Sequence, residues 1–195
     1  YASGEVVQRD INKSINYLSL AANQNHLEAQ FSLGIICFTK DYNVQDIDKA
    51  IQYFSLAANR NHSEAQYFLG VIYETGECTH QDIDKSIFYY SLAANQGYSA
   101  AQNDLGVLYL EAKYVKRDIQ KAIHYFTLAV KQNNPNAQYN LGVIYMYWIY
   151  PKDIVKSLYY YSLAAKQNNS QAQTLLGFLY YNGEFVSKNI NKAIY

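Results

Sequence analysis

The sequence predicts an all-α solenoid: helix pairs stacked in series, with no single closed core. Three observations predict it. The segment Asp-Ile-x-Lys begins at Asp10, Asp46, Asp82, Asp118 and Asp153, with a variant at Asn189, at spacings of 36, 36, 36, 35 and 36. The pair Leu-Gly recurs at Leu33-Gly34, Leu69-Gly70, Leu105-Gly106, Leu141-Gly142 and Leu176-Gly177. Between these landmarks the apolar residues follow a helical period. From Asp to Gly is always 24 residues, and from Gly to the next Asp is 12, except 11 between Gly142 and Asp153. One residue is therefore missing from one loop of an otherwise unbroken register, and such a register marks tandem structural units.

Each unit reads as two short helices. In the second unit Ile47, Ala50, Ile51, Phe54, Ala57 and Ala58 fall on one face of a 3.6-residue period. Asp46 precedes them as an N-cap, so helix B is expected over about 46–59. Asn59-Arg60-Asn61-His62 makes a polar turn. Helix A follows over about 64–75, with Ala65, Phe68, Leu69, Ile72 and Tyr73 as its stripe. Ser63 and Gln66 stand three apart and predict a capping box, repeated as Ser99/Gln102 and Ser170/Gln173. Pro135 takes the place of Ser in the fourth unit, where a helix start tolerates it.

The Gly of Leu-Gly lies inside helix A, where it costs about 1 kcal/mol relative to Ala. Five helices carrying it at one position predict a second helix packed where a Cβ would stand. Gly76 and Gly183, with Gly4 in register, suit a left-handed position after helix A.

Residues 65–94 carry Ala65, Leu69, Gly70, Tyr73 and Gly76, then Asp82, Lys85, Ser86, Tyr89, Tyr90, Ala93 and Ala94. This pattern resembles the Sel1-like repeat. It is similar to the tetratricopeptide repeat, whose period is about 34, but the 36-residue spacing favours Sel1. Departures are local: Cys37 stands where the pattern has Tyr, and Lys40, Ala112 and Trp148 where it has the loop Gly. The resemblance implies a right-handed α-α superhelix of about five tandem helix-turn-helix repeats of 36 residues. It implies one array over 1–195, with partial repeats at 1–9 and 189–195 and continuation past both. One helix pair cannot cover its own apolar face, so stability is expected to rise with repeat number.

Composition narrows the function. Lys plus Arg equals Asp plus Glu, 16 each, so no basic excess exists to neutralise phosphates and nucleic-acid binding is not expected. No apolar run approaches the roughly 20 residues of a bilayer span, so direct membrane insertion is not expected either. Cys37 and Cys78 occupy different repeat positions, unlike a disulfide scaffold. Two unpaired thiols and the lack of a leader point to a cytoplasmic location. The sequons at Asn12, Asn61 and Asn168 are expected by chance in a chain rich in Asn and Ser.

No catalytic residues, metal site or cofactor are expected. His-x-x-x-His and Cys-x-x-Cys spacings are missing, as are a Gly-rich phosphate loop and Gly-x-Ser-x-Gly. His26 and His62 share one repeat column and read as turn residues; His80 and His124 have no repeated partner. Some cysteine-rich secreted Sel1 relatives are linked to β-lactam binding, but their paired cysteines are not in this chain, so that activity is not carried over.

Lys13, Lys49, Lys85, Lys121, Lys156 and Lys192 recur once per repeat. In the first five an Asp stands three residues earlier, which predicts a self-compensated, solvated helix face in place of a phosphate-binding ridge. Tyr53, Tyr89, Tyr125 and Tyr160 in helix B, and Tyr73, Tyr109, Tyr145 and Tyr180 in helix A, read as inter-helix packing.

The varying columns carry the candidate site. In the tetratricopeptide fold the concave wall is helix A, including residues three before the Gly and one and four after it. Transferred by the Leu-Gly match, with the Trp of the shortened loop added, the candidate partner-binding residues are Phe31, Phe38, Tyr67, Glu74, Asn103, Leu110, Tyr139, Met146, Trp148, Phe178 and Tyr181. Drift on a solvated face and a groove with aromatic anchors are both open readings of this variation. Trp148 likewise reads either as an interface anchor or as filler for the deleted residue. By resemblance, the expected function is a non-catalytic scaffold or adaptor for a protein or peptide partner. The alternative is a regulatory or spacer arm of a larger protein such as a protein kinase.

Overall fold

The computed structural model describes residues 11–39, 45–76 and 80–183. Gly4, Asp10, Lys40, Cys78, Asn189, Lys192 and the partial repeats expected at 1–9 and 189–195 lie outside them. The described residues form ten α-helices and no strand. The helices of B type are α1 (Ile11–Asn23), α3 (Ile47–Ala58), α5 (Ile83–Asn95), α7 (Ile119–Val130) and α9 (Ile154–Lys166). Those of A type are α2 (Leu27–Phe38), α4 (Ser63–Thr75), α6 (Ser99–Glu111), α8 (Pro135–Tyr147) and α10 (Ser170–Asn182). The fold class is all-α helical repeat, as the periodicity requires.

Residues 1–89 and 90–195 form two compact units, the division falling within α5. In the first, α1 packs on α2, α2 on α3 and α3 on α4. In the second, α6 through α10 pack each on the next, and α6 also meets α8. Within each unit the stacking is serial.

Helix starts follow two rules. Every described helix B after α1 opens on the Asp column: the carboxylates of Asp46, Asp82, Asp118 and Asp153 accept from the backbone N–H three residues on. Helix A caps differently from the sequence expectation. The cap is the residue before Ser63, not Ser63 itself. His62 Nδ1 accepts from Ala65 N, His26 Nδ1 from Ala29 N, and Asn134 and Asn169 fill the same role in α8 and α10. The expected capping box is therefore corrected, because Gln66 lies one position too deep to reach back to the cap. Its Nε2 donates to Ala58 O, the last turn of the preceding helix. Gln30 reaches Ala22 O, Gln102 reaches Ala94 O and Gln173 reaches Ala165 O in the same way. The column is a polar strut that ties helix A to helix B across their turn.

The turn itself needs a left-handed residue. Asn25, Asn61, Asn133 and Asn168 have φ near 60°, and Gly97 fills that column at 86°. Asn tolerates this conformation better than other residues with a Cβ. Gly76 and Gly183 are left-handed after helix A, as expected, and Ala112 takes the same conformation at φ 58°. At Trp148 the shortened loop leaves by a different path, φ −115°.

The Leu-Gly glycines are seats for rings of the next helix B. A Cβ on Gly34 would stand 2.5 Å from Phe54 Cδ1, one on Gly106 2.6 Å from Phe126 Cε1, and one on Gly142 2.6 Å from Tyr161 Cδ1. Phe54, Phe126 and Tyr161 are fully buried, so none can retreat. The seat carries a linked choice. Phe54 and Phe126 have Ala50 and Ala122 four residues earlier, whereas Tyr90 and Tyr161 have Ser86 and Ser157. Ser157 Oγ donates to Gly142 O at 2.8 Å. Burial pushes the Tyr161 hydroxyl pKa far up, and the neighbouring Ser157 hydroxyl acts in the opposite direction.

The A-to-B loops close on repeated bonds. The cap N–H of Asp46, Asp82, Asp118 and Asp153 donates to the carbonyl of Cys37, Tyr73, Tyr109 and Tyr145 in turn. The preceding side chain adds a second tie: Gln45 to Phe38 O, Gln81 to Glu74 O, Arg117 to Leu110 O.

Two predictions follow from this packing. Gly106→Ala gains about 1 kcal/mol of helix propensity but overpacks a closed seat at a cost of about 1–3 kcal/mol. A net loss of up to about 2 kcal/mol is therefore expected in denaturant melts, and Phe126→Leu in the same chain should recover part of it. The second concerns acid. Hydrogen bonds from Lys49, Lys85 and Lys156 hold the Asp46, Asp82 and Asp153 carboxyls below their ordinary value of 3.8. A depressed folded pKa gives stability that is present above the ordinary value and lost as pH falls through the folded one. The melting temperature should therefore decline below about pH 4. Replacing all three by Asn, which still caps, should flatten that decline.

Candidate interaction surface

The lysine column is compensated, as its Asp partners predict. Lys49 lies 2.9 Å from Asp46, Lys85 3.2 Å from Asp82, Lys121 4.0 Å from Asp118 and Lys156 3.2 Å from Asp153. Three of these lysines also cap a stacked tyrosine pair, which the spacing did not reveal. Tyr73 stacks on Tyr89 at 5.8 Å, Tyr109 on Tyr125 at 6.0 Å and Tyr145 on Tyr160 at 5.8 Å. Lys85, Lys121 and Lys156 sit 4.9, 4.8 and 5.2 Å from the Tyr73, Tyr109 and Tyr145 rings. Burial pushes the hydroxyls of Tyr89, Tyr125 and Tyr160 up. These ion pairs are exposed and screened by solvent, so they and the cation–π contacts beside them add little to stability. This face is framework.

The candidate residues divide by burial. Leu110 and Met146 are buried at 8% and 1% exposure and belong to the cores around Phe126 and Tyr161. Asn103 is buried too. Its Nδ2 donates to Asp104 Oδ1, and its Oδ1 accepts from Asn140 Nδ2 at 3.1 Å. These three present little side-chain surface. Phe31 and Phe38 are partly buried and pack against Phe54 and Phe68; Phe31 also stacks on His62 at 4.4 Å. Tyr67 meets Phe68 edge-on at 5.7 Å, and Tyr139 tilts against Tyr161 at 5.7 Å. Both keep part of their surface in solvent, as does Glu74. Phe178 and Tyr181 are exposed at 61% and 58%. In the first unit Phe31, Phe38 and Tyr67 thus gather around Phe68. In the second, Tyr139 and Met146 share the Tyr161 cluster.

Trp148 is 42% exposed, and the Arg117 guanidinium lies 4.3 Å from its ring. The indole is neither core filler nor fully solvated; a cation from the neighbouring loop covers it. Sequence reasoning missed Arg117, Asn140 and the glutamine struts. The struts had left a signal, Gln recurring four residues before each Leu-Gly glycine, but it was read as a cap.

Among the described residues no group of three or more His, Cys, Asp or Glu side chains is placed to hold a metal. No helix among them is long and apolar enough to cross a membrane.

The Sel1 repeat profile matches residues 1–26, 27–62, 63–98, 99–134, 135–169 and 170–195. The chain belongs to the Sel1 repeat family. Solved structures agree. A Sel1 repeat protein from Oxalobacter formigenes is 31% identical, with 98% of this chain and 79% of that one covered and a TM-score of 0.87. The protein c5321, a protective antigen of uropathogenic Escherichia coli strains with the same repeat fold, is 32% identical at a TM-score of 0.82. The match covers 90% of this chain but only 38% of that antigen. Cysteine-rich protein B of Helicobacter pylori is 27% identical over 69% of this chain and 97% of its own, at a TM-score of 0.52. No curated protein sequence matches. Sel1 repeat proteins are generally protein-interaction scaffolds, typically non-catalytic.

In this Sel1 repeat chain Trp148 is the only tryptophan, so its fluorescence reads one site. Emission should lie to the red of a buried indole, and acrylamide should quench it. Arg117→Ala should increase that quenching; an unchanged value would mean that the stacking does not persist in solution.

Proposed function

We propose that the chain is a non-catalytic scaffold that takes a protein or peptide segment against the helix-A residues of its repeats. The observation that carries this is the contrast between columns. The Asp, Lys, Gln and Gly positions repeat with one bonding role each. The columns three before and four after the Gly change from aromatic to polar to charged and include the exposed ring of Tyr181, and the column one after the Gly adds the exposed ring of Phe178.

In the first unit the accessible part of this surface is Tyr67 and Glu74, backed by Phe31 and Phe38. In the second it is Tyr139, Phe178 and Tyr181, with Asn103, Leu110 and Met146 as support beneath. Large, stiff rings at such positions anchor partners at low entropic cost. The buried thiol of Cys37, which is unpaired, fits a reducing compartment such as the cytoplasm.

A displayed peptide library panned on the chain tests the reading. Binders should lose about tenfold in affinity or more on Tyr67→Ala or Tyr139→Ala at a temperature where circular dichroism shows each variant still folded, its melting temperature lowered by the lost ring packing. Binders indifferent to both variants would remove the helix-A assignment.

A further inference from the structure

Two loops of the second unit lie side by side, and their chemistry differs from that of the framework. They are residues 112–118, between α6 and α7, and residues 148–153, between α8 and α9. Arg117 holds them together. Its Nε donates to Leu110 O at 2.9 Å and its Nη2 to Glu111 O at 3.4 Å, while its guanidinium plane covers Trp148. Around this joint the exposed cations Lys113, Lys116 and Lys152 add to Arg117. Asp118 and Asp153 are engaged as helix caps and ion-paired to Lys121 and Lys156. Glu111, at the end of α6, is the other carboxylate beside these segments, which carry four cations, of which Lys113 also lies over the Tyr114 ring at 4.6 Å. The whole chain carries no formal net charge, so this edge is a local excess.

The same edge exposes apolar surface. Tyr150 is 98% exposed and Val155, in the first turn of α9, is 80% exposed. On the first of the two loops a depression of about 560 Å³ is lined by Tyr109, Val115, Lys116, Arg117, Asp118 and Lys121 among others. Protruding rings interleaved with lysine and arginine match the interface of an anionic bilayer. There the aromatic tips enter the headgroup layer and the cations meet lipid phosphates and carboxylates.

We propose that these two loops form a peripheral docking edge for an anionic phospholipid surface, with Trp148 and Tyr150 as interfacial anchors and Lys113, Lys116 and Lys152 as the headgroup contacts. The edge lies mainly on loops, next to the ends of helices α6 and α8. The outward rings at Tyr150 and Trp148 favour a bilayer, whose headgroup layer takes aromatic tips; binding of an acidic protein or a single-stranded nucleic acid is the competing outcome of the test below.

Co-sedimentation of the full chain with vesicles tests this. The chain should bind phosphatidylcholine vesicles containing about 30% phosphatidylserine and not phosphatidylcholine alone, with release at ~0.5 M salt. Trp148 emission should shift blue on binding. Lys116→Glu with Lys152→Glu should lower partitioning by at least about thirtyfold, each cation being worth roughly fivefold. Tyr150→Ser should weaken it with the salt dependence intact. All three positions are exposed, and unchanged melting curves will confirm folding. The proposal falls if phosphatidylserine makes no difference or if neither variant alters partitioning. It also falls if a polyglutamate peptide or a single-stranded oligonucleotide binds this edge and the vesicles do not.

Discussion

The structure rests on one contact repeated within its units: a ring of α3, α7 and α9 seated on a glycine of the helix A before it. The seat works because the glycine presents bare backbone and the ring is flat. Gly34, Gly106 and Gly142 each receive such a ring at a distance that no Cβ would permit. The glycine weakens its own helix by about 1 kcal/mol. A buried aromatic side chain returns roughly 1.5–3 kcal/mol, so the exchange is favourable only when the next helix is present. That dependence makes the units cooperative neighbours; the position holds Phe or Tyr in α3, α5, α7 and α9, and Leu18 in α1.

Polar groups do the rest of the positioning. Once the helices approach this closely, the orphan groups at their ends are buried and need partners. The Asp column caps helix B, the His or Asn column caps helix A, and the Gln column satisfies the last turn of helix B from within helix A. In the second unit the amide network extends between repeats: Gln132 donates to Gln102, Gln167 to Gln138 and Asn169 to Asn136. The abundance of Asn and Gln is thus largely accounted for by position. Four asparagines hold left-handed turns, two cap helices, and the glutamines bridge helix ends.

Much of this was legible in the sequence, and the limits have physical causes. Asp46 as a cap, Gly106 as a steric clearance and Tyr73 as packing could be read because a repeated residue with a known local role has few alternatives. Gln66 could not, because a residue three after a serine satisfies a local motif as well as a distant carbonyl. Only the true first residue of the helix separates the two. The candidate surface was legible as columns but not as exposure. Leu110 and Met146 occupy the same column as Tyr181, yet the first two are covered and the third is open. Burial at that column depends on what packs against it, and a helical wheel does not contain the neighbour. Trp148 was singled out correctly as irregular, but its partner lies 31 residues away on a loop that no periodicity marks.

The deleted residue explains that partner. After α4 and α6 the next residue turns left-handed, at Gly76 and Ala112. The loop after Gly142 is one residue shorter yet must still bring Asp153 N to Tyr145 O, so it gives up the left-handed step at Trp148. The position before the Asp cap has a fixed task, donating to a carbonyl at the end of helix A, and Gln45 and Gln81 discharge it with one amide. Arg117 performs the same task through Nε and still has a guanidinium face to offer. With a tryptophan at the start of the neighbouring loop, that face finds a ring. A framework bond and a local insertion of aromatic surface are therefore joined in one side chain, and the basic, aromatic edge is a consequence of shortening a loop without moving either helix it connects.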